Sequence, residues 1–189
     1  MIKLTNRMKP IIIIHGTAGL GKTTLANELL KRYNFDHKLG SGWIREILRS
    51  QTTKEEHPYL FINTFRAEDV IENYSKQAKK VEEAILACID RAKREGQSLI
   101  IEGNHAFPET FHNIEGVSYV VLTLSDEEEH YRRINGPTHS IRHVTRDDFK
   151  KVREINNHIL EEARRFNVTI IENKNMEETL RKIDQILEK

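Results

Sequence analysis

Apolar residues along this chain follow two alternating patterns. The first is a short continuous run, seen in Ile11-Ile12-Ile13-Ile14, which suits a strand buried on both faces. It predicts a strand over 10–14, and similar runs predict strands over 37–39, 98–101, 117–124 and 168–171. The second pattern has a helical period. Val70, Tyr74, Ala78, Val81, Ile85, Cys88 and Ala92 form one stripe, predicting a long helix over 67–95 that Gly96 stops. Phe149, Val152, Ile155, Ile159, Ala163 and Phe166 form another behind a Thr145 cap, and Met176, Leu180, Ile183 and Leu187 a third behind Asn175. Shorter helices are predicted over 24–33 and 43–49. Ser125-Asp126-Glu127-Glu128 reads as a capping box with Ser125 as cap, opening a helix that ends near Asn135-Gly136-Pro137. Residues 50–57 read as a surface loop, 108–113 as a loop or single turn, and the polar stretch 1–9 as a frayed end.

Strands alternate with helices about five times, so the expected fold is α/β: a five-stranded parallel sheet with helices on both faces, in one domain over 1–189. In such folds ligands sit beyond the C-terminal ends of the strands. The loop after the first strand is built for such a ligand. Gly16-Thr17-Ala18-Gly19-Leu20-Gly21-Lys22-Thr23 matches the phosphate-binding P-loop, G-x-x-x-x-G-K-[ST], and Thr24 continues into the helix. Glycines let the backbone N–H groups curl around a phosphate, and the helix N-terminus adds partial positive charge. Lys22 is placed for the β- and γ-phosphates, and the Thr23 hydroxyl for Mg²⁺.

Composition narrows the partners. Lys+Arg 30 against Asp+Glu 29 leaves no global basic excess, so nucleic acid is possible but not favoured. The lone Cys88 lies on a helical apolar stripe and reads as a buried structural thiol. The apolar runs are too short to span a bilayer and nothing resembles a signal peptide, which points to a soluble, cytoplasmic protein with no membrane partner. Nothing in the pattern sets an oligomeric state.

Further residues fall where phosphoryl chemistry needs them. The 98–101 strand delivers Glu102 at its C-terminal end, where P-loop enzymes place a metal ligand or a base. Arg132 and Arg133 lead into a segment with Gly136, Pro137, His139, Arg142 and His143. An arginine-rich segment placed late in such a fold suits a lid, here over about 132–146, that covers the γ-phosphoryl. Arg132 is the first choice, with Arg133 and Arg142 behind it. Arg45 and Arg49, one helical turn apart, suit a phosphate or carboxylate on an acceptor, or equally a surface ion pair.

Three stretches together, the P-loop, Ile44-Arg45-Glu46-Ile47-Leu48-Arg49 and Ile100-Ile101-Glu102-Gly103-Asn104-His105-Ala106-Phe107-Pro108, resemble the 2-phosphoglycerate kinases. So do Phe149-Lys150-Lys151-Val152-Arg153-Glu154-Ile155 and Ile170-Ile171-Glu172-Asn173. Members of that family usually carry an acidic residue shortly before the Ile-Arg-Glu, where this chain has Ser41-Gly42-Trp43. The resemblance implies a nucleotide-kinase-like P-loop fold and puts the adenine near Asn173. The leading expectation is an ATP- and Mg²⁺-dependent kinase acting on a small-molecule acceptor. In it Lys22 and Arg132 stabilise the moving phosphoryl group, Thr23 and Glu102 organise Mg²⁺, the latter directly or through water, and Arg45, Arg49, His105 and Arg142 face the acceptor. Two others stand beside it: a kinase for nucleosides, nucleotides or RNA ends, and a nucleotide-dependent switch that needs no acceptor.

Overall fold

The computed structural model describes residues 9–137 and 143–188. Five strands form one parallel sheet: β1 (Ile11–His15), β2 (His37–Gly40), β3 (Leu99–Gly103), β4 (Val117–Thr123) and β5 (Thr169–Glu172), in the spatial order β2-β3-β1-β4-β5. The helices between them are α1 (Lys22–Tyr33), α2 (Ser41–Ser50), the single turn α3 (Pro58–Phe61), the long α4 (Val70–Glu95), the single turn α5 (Pro108–Phe111), α6 (Glu127–Ile134), α7 (Arg146–Arg165) and α8 (Met176–Leu187). The expected α/β architecture with a five-stranded parallel sheet is present.

Alternation along the strands sorts the core onto two faces. Ile11, Ile13, Leu99, Ile101 and Val121 pack with Tyr74, Val81 and Ile85 of α4 and Val152 and Ile155 of α7. Ile12, Ile14, Ile100, Val120 and Leu122 pack with Leu25 and Leu29 of α1 and Ile183 of α8. β1 is central and wholly buried, which is why its apolar run has no polar alternation.

Several boundaries differ from the sequence reading. The cap of α6 is Asp126, whose carboxylate accepts from the Glu129 amide, and not Ser125. Ser125 is turned away to Glu172, which accepts from both its amide and its hydroxyl. The long helix starts at Val70, because Asp69 caps it by accepting from the Glu72 amide. Thr145 and Asn175 cap α7 and α8, and Gly96 ends α4 with φ 61°. Lys9, expected to be frayed, donates to Asp36 at 2.8 Å. Cys88 is half-buried against the α4–α7 core, and burial raises its pKa.

Candidate active site

Register brings the chemistry together. β1 lies between β3 and β4, and Ile14 pairs with Glu102 while His15 pairs with Gly103 and Val121. The P-loop leaving β1 therefore emerges beside the residues that end β3. The Gly16 amide donates to the Gly103 carbonyl at 3.1 Å, joining the two ends directly. Gly21 caps α1 with φ 81°, and Thr23 and Thr24 stand exposed on the helix's first turn.

The Thr23 hydroxyl donates to Glu102 Oε1 at 3.0 Å. The two oxygens expected to organise Mg²⁺ thus come from different elements to one point. A hydroxyl and a carboxylate are hard oxygen donors of the kind Mg²⁺ takes, usually with several waters. Lys22 is 8% exposed, and its ammonium donates to the Thr17 carbonyl within the loop.

Asn173 follows β5 and lies against the P-loop. Its amide nitrogen donates to the Leu20 carbonyl at 2.8 Å, and its amide oxygen accepts from Thr179. A β-carbon on Gly21 would come within 2.7 Å of that nitrogen, so this close approach needs glycine. Arg133 ties α6 to the same place, donating to the carbonyls of Asn173 and Lys174 and to Glu129. Arg132 is different. It is exposed, and its partners among the described residues are the two Glu129 oxygens, at 2.6 and 2.7 Å. Glu129, held by both arginines, has its pKa lowered to about 2. Arg142, with residues 138–141 of the expected lid, lies outside the described residues.

Beside the C-terminal end of β3 lies a second cluster of polar side chains. His105 is 2% exposed, and its Nδ1 is 3.0 Å from Ser41 Oγ. Arg45 reaches Thr64 Oγ1 at 3.4 Å and Gln77 Oε1 at 3.5 Å. Gln77, fully buried on α4, also accepts from Thr64 and donates to the carbonyls of Tyr59 and Ile62. It thereby fastens the 59–64 segment over Arg45. Arg49 is turned outward, paired with Glu46 at 3.0 Å and stacked over Phe61 at 5.1 Å. Burial and the nearby cations Arg45 and Lys22 push the His105 pKa down to about 3, so its ring is neutral.

Three further residues of the site do not stand out in the sequence. His15, immediately before Gly16, is fully buried and neutral, its pKa lowered to about 3 chiefly by burial. Its ring lies 2.5 Å from the Tyr119 hydroxyl and 3.1 Å from that of Tyr74. Since Tyr119 donates to the Ala106 carbonyl, this chain links the start of the P-loop to the loop bearing His105. Its one signal is a lone polar residue at the end of an apolar strand. His130 donates from Nε2 to the Ala18 carbonyl at 2.8 Å, securing α6 to the P-loop. Glu82 accepts from the Phe107 amide and the Thr110 hydroxyl, holding the far end of the 103–107 loop. Neither has a spacing that betrays it, because both partners are backbone or distant in sequence.

A parallel sheet with a P-loop at its central strand and a threonine–carboxylate pair beside it defines a P-loop nucleotide-binding protein. The chain belongs to the family described as "AAA domain", whose model matches residues 12–148. It is similar to the 2-phosphoglycerate kinase of Methanococcus maripaludis, 32% identical over 199 residues, covering 94% of this chain and 64% of that protein. The Pyrococcus horikoshii 2-phosphoglycerate kinase is 33% identical over 197 residues, covering 95% and 64%. The chain thus spans just under two-thirds (64%) of the length of these curated relatives. Among solved structures, the fold is shared with a shikimate kinase from Acinetobacter baumannii in complex with shikimate, with TM-score 0.60, 18% identity, and 94% and 92% of the two chains covered. A gluconokinase from Sinorhizobium meliloti gives TM-score 0.58 at 14% identity, with 97% and 96% covered. Among the described residues no helix is long and apolar enough to cross a membrane.

Proposed function

We propose that the chain is an ATP- and Mg²⁺-dependent phosphotransferase that moves the γ-phosphoryl group to a small-molecule acceptor, with 2-phosphoglycerate the first candidate. The observation that carries this is the Thr23–Glu102 contact beside the buried Ser41–His105 pair and the half-buried Arg45. The similarity to named 2-phosphoglycerate kinases supports the candidate acceptor.

In this reading the backbone of residues 16–24 cradles the phosphates, and Lys22 leaves the Thr17 carbonyl to meet the β- and γ-phosphate oxygens. Thr23 and Glu102 would hold Mg²⁺, whose charge would offset that of the phosphates when bound. Arg132 swings from Glu129 onto the transferring group, a motion its exposure permits, while Arg133 keeps α6 on the loop after β5. Asn173 spends its side chain on the P-loop and Thr179, so it shapes the adenine site through backbone position. The acceptor's hydroxyl oxygen bonds to the γ-phosphorus as the bond to the ADP oxygen breaks, and the hydroxyl's proton is released to water. Arg45 and His105 hold the acceptor, with Arg49 as an outer contact.

The test is ATP consumption with Mg²⁺, with and without 2-phosphoglycerate, and mass spectrometry of the products. A bisphosphorylated glycerate formed only with both substrates is the expected result. Lys22→Ala should cut turnover by about 100-fold or more. Hydrolysis that ignores every acceptor, with a shape change between ATP and ADP, would instead favour the nucleotide switch.

A further inference from the structure

Ser41 begins α2 at the end of β2 and is 1% exposed. Gly103 makes its position possible. A β-carbon at 103 would fall 1.8 Å from Ser41 Oγ and 2.7 Å from Ser41 Cβ, and the backbone there has φ 151°. The hydroxyl is thus wedged against the end of β3, 3.0 Å from His105 Nδ1.

Two proton arrangements are open to this pair, and each leaves one donor unpaired. Were Nδ1 protonated, it would donate to Oγ, and the serine proton would need another acceptor. Among the described residues Ser41 Oγ has no hydrogen-bond partner besides Nδ1. With the hydroxyl donating to Nδ1, the serine proton and the Nδ1 lone pair satisfy each other, and the unpaired proton moves from the wedged hydroxyl, which has no room beside Gly103 for a second acceptor, to the far side of the ring. The ring proton then sits on Nε2. That nitrogen is buried and has no partner among the described residues. Arg45 lies one turn after Ser41 on the same face of α2, and its Nε is likewise buried without a partner. Arg45 is also the foremost charge acting on His105. Arginine donates only, and with His105 in this form both N–H groups call for an oxygen acceptor.

We propose that Ser41 is a positioning residue of the acceptor site: it holds His105 as the Nε2–H tautomer, so that His105 Nε2 and Arg45 Nε together donate to an oxyanion of the acceptor. This rests on the kinase reading above. A carboxylate at position 41 would act oppositely, accepting from Nδ1–H and leaving Nε2 as a lone pair facing the anion.

The experiment pairs ¹⁵N NMR of the histidine rings in the full chain with steady-state kinetics using 2-phosphoglycerate as acceptor. The wild-type His105 ring should show the proton on Nε2. Ser41→Ala and Ser41→Asp should raise the acceptor KM about 10- to 100-fold, the effect of losing a hydrogen bond to a charged group, while ADP affinity stays within about twofold. His105→Gln, whose amide reaches the Nε2 position, should retain more acceptor affinity than His105→Asn, whose amide reaches only Nδ1. This comparison and the wild-type spectrum remain decisive if the Ser41 variants do not fold. A wild-type proton on Nδ1, an unchanged acceptor KM in folded Ser41→Ala, or Asn outperforming Gln overturns the proposal. Failure of wild type to use any acceptor sinks the kinase reading instead, and the spectrum reports on the tautomer separately.

Discussion

Gly103 shows how one residue can carry a site. Its φ of 151° and the 1.8 Å approach of Ser41 Oγ leave no room for a side chain. Gly103→Ala should destabilise the protein by about 2–5 kcal/mol, combining backbone strain with overpacking. Urea unfolding measures this directly, and a loss under about 1 kcal/mol would show that the β3 end has slack. The glycine is visible in the sequence within Glu102-Gly103-Asn104-His105, but its partner is not. Ser41 stands out there only as a residue where an acid is expected. Which side chain fills the space above a glycine depends on the β2–β3 register, and no local pattern encodes that. The P-loop is the opposite case, because its function is written in consecutive residues.

At the level of elements, α6 separates what a motif predicts from what packing selects. Ser125 with Glu128 has the capping-box spacing, yet Glu172 takes the Ser125 hydroxyl and Asp126 becomes the cap. Asp126→Ala should therefore cost about 1 kcal/mol, and Ser125→Ala less. The reverse order in thermal or urea denaturation would restore the capping box. Both caps are compatible with the local residues, and the long-range partner on β5 decides between them. Helices whose stripes run for several turns, such as α4 and α7, are legible because burial of a whole face outweighs any single cap. Single-turn elements such as α3 carry too few positions to show a period.

The whole molecule encloses three neutral histidines around one phosphate loop. Burial lowers the pKa of His15 and His105 to about 3 and that of His130 to about 4, from 6.5. The unfolded chain therefore binds more protons than the native one from about pH 6.5 downward. Stability is fully present above that pH and is lost as pH falls, with a slope of up to about 1.4 kcal/mol per unit for each histidine. Urea midpoints taken from about pH 7 to about pH 4.5 should fall steadily, and a flat profile would mean that these rings reach solvent. Sheet order carries a different consequence. Among the described residues β1 finds its partners in Leu99 and Val117 and the residues after them. On the ribosome, the nucleotide loop must wait beside an unpaired apolar strand until β3 has emerged. Contacts so distant in sequence make for slow folding and a long exposure of Ile11 to Ile14. The strand that anchors the phosphate loop in the finished protein is thus also a segment that needs protection while the protein is being synthesised.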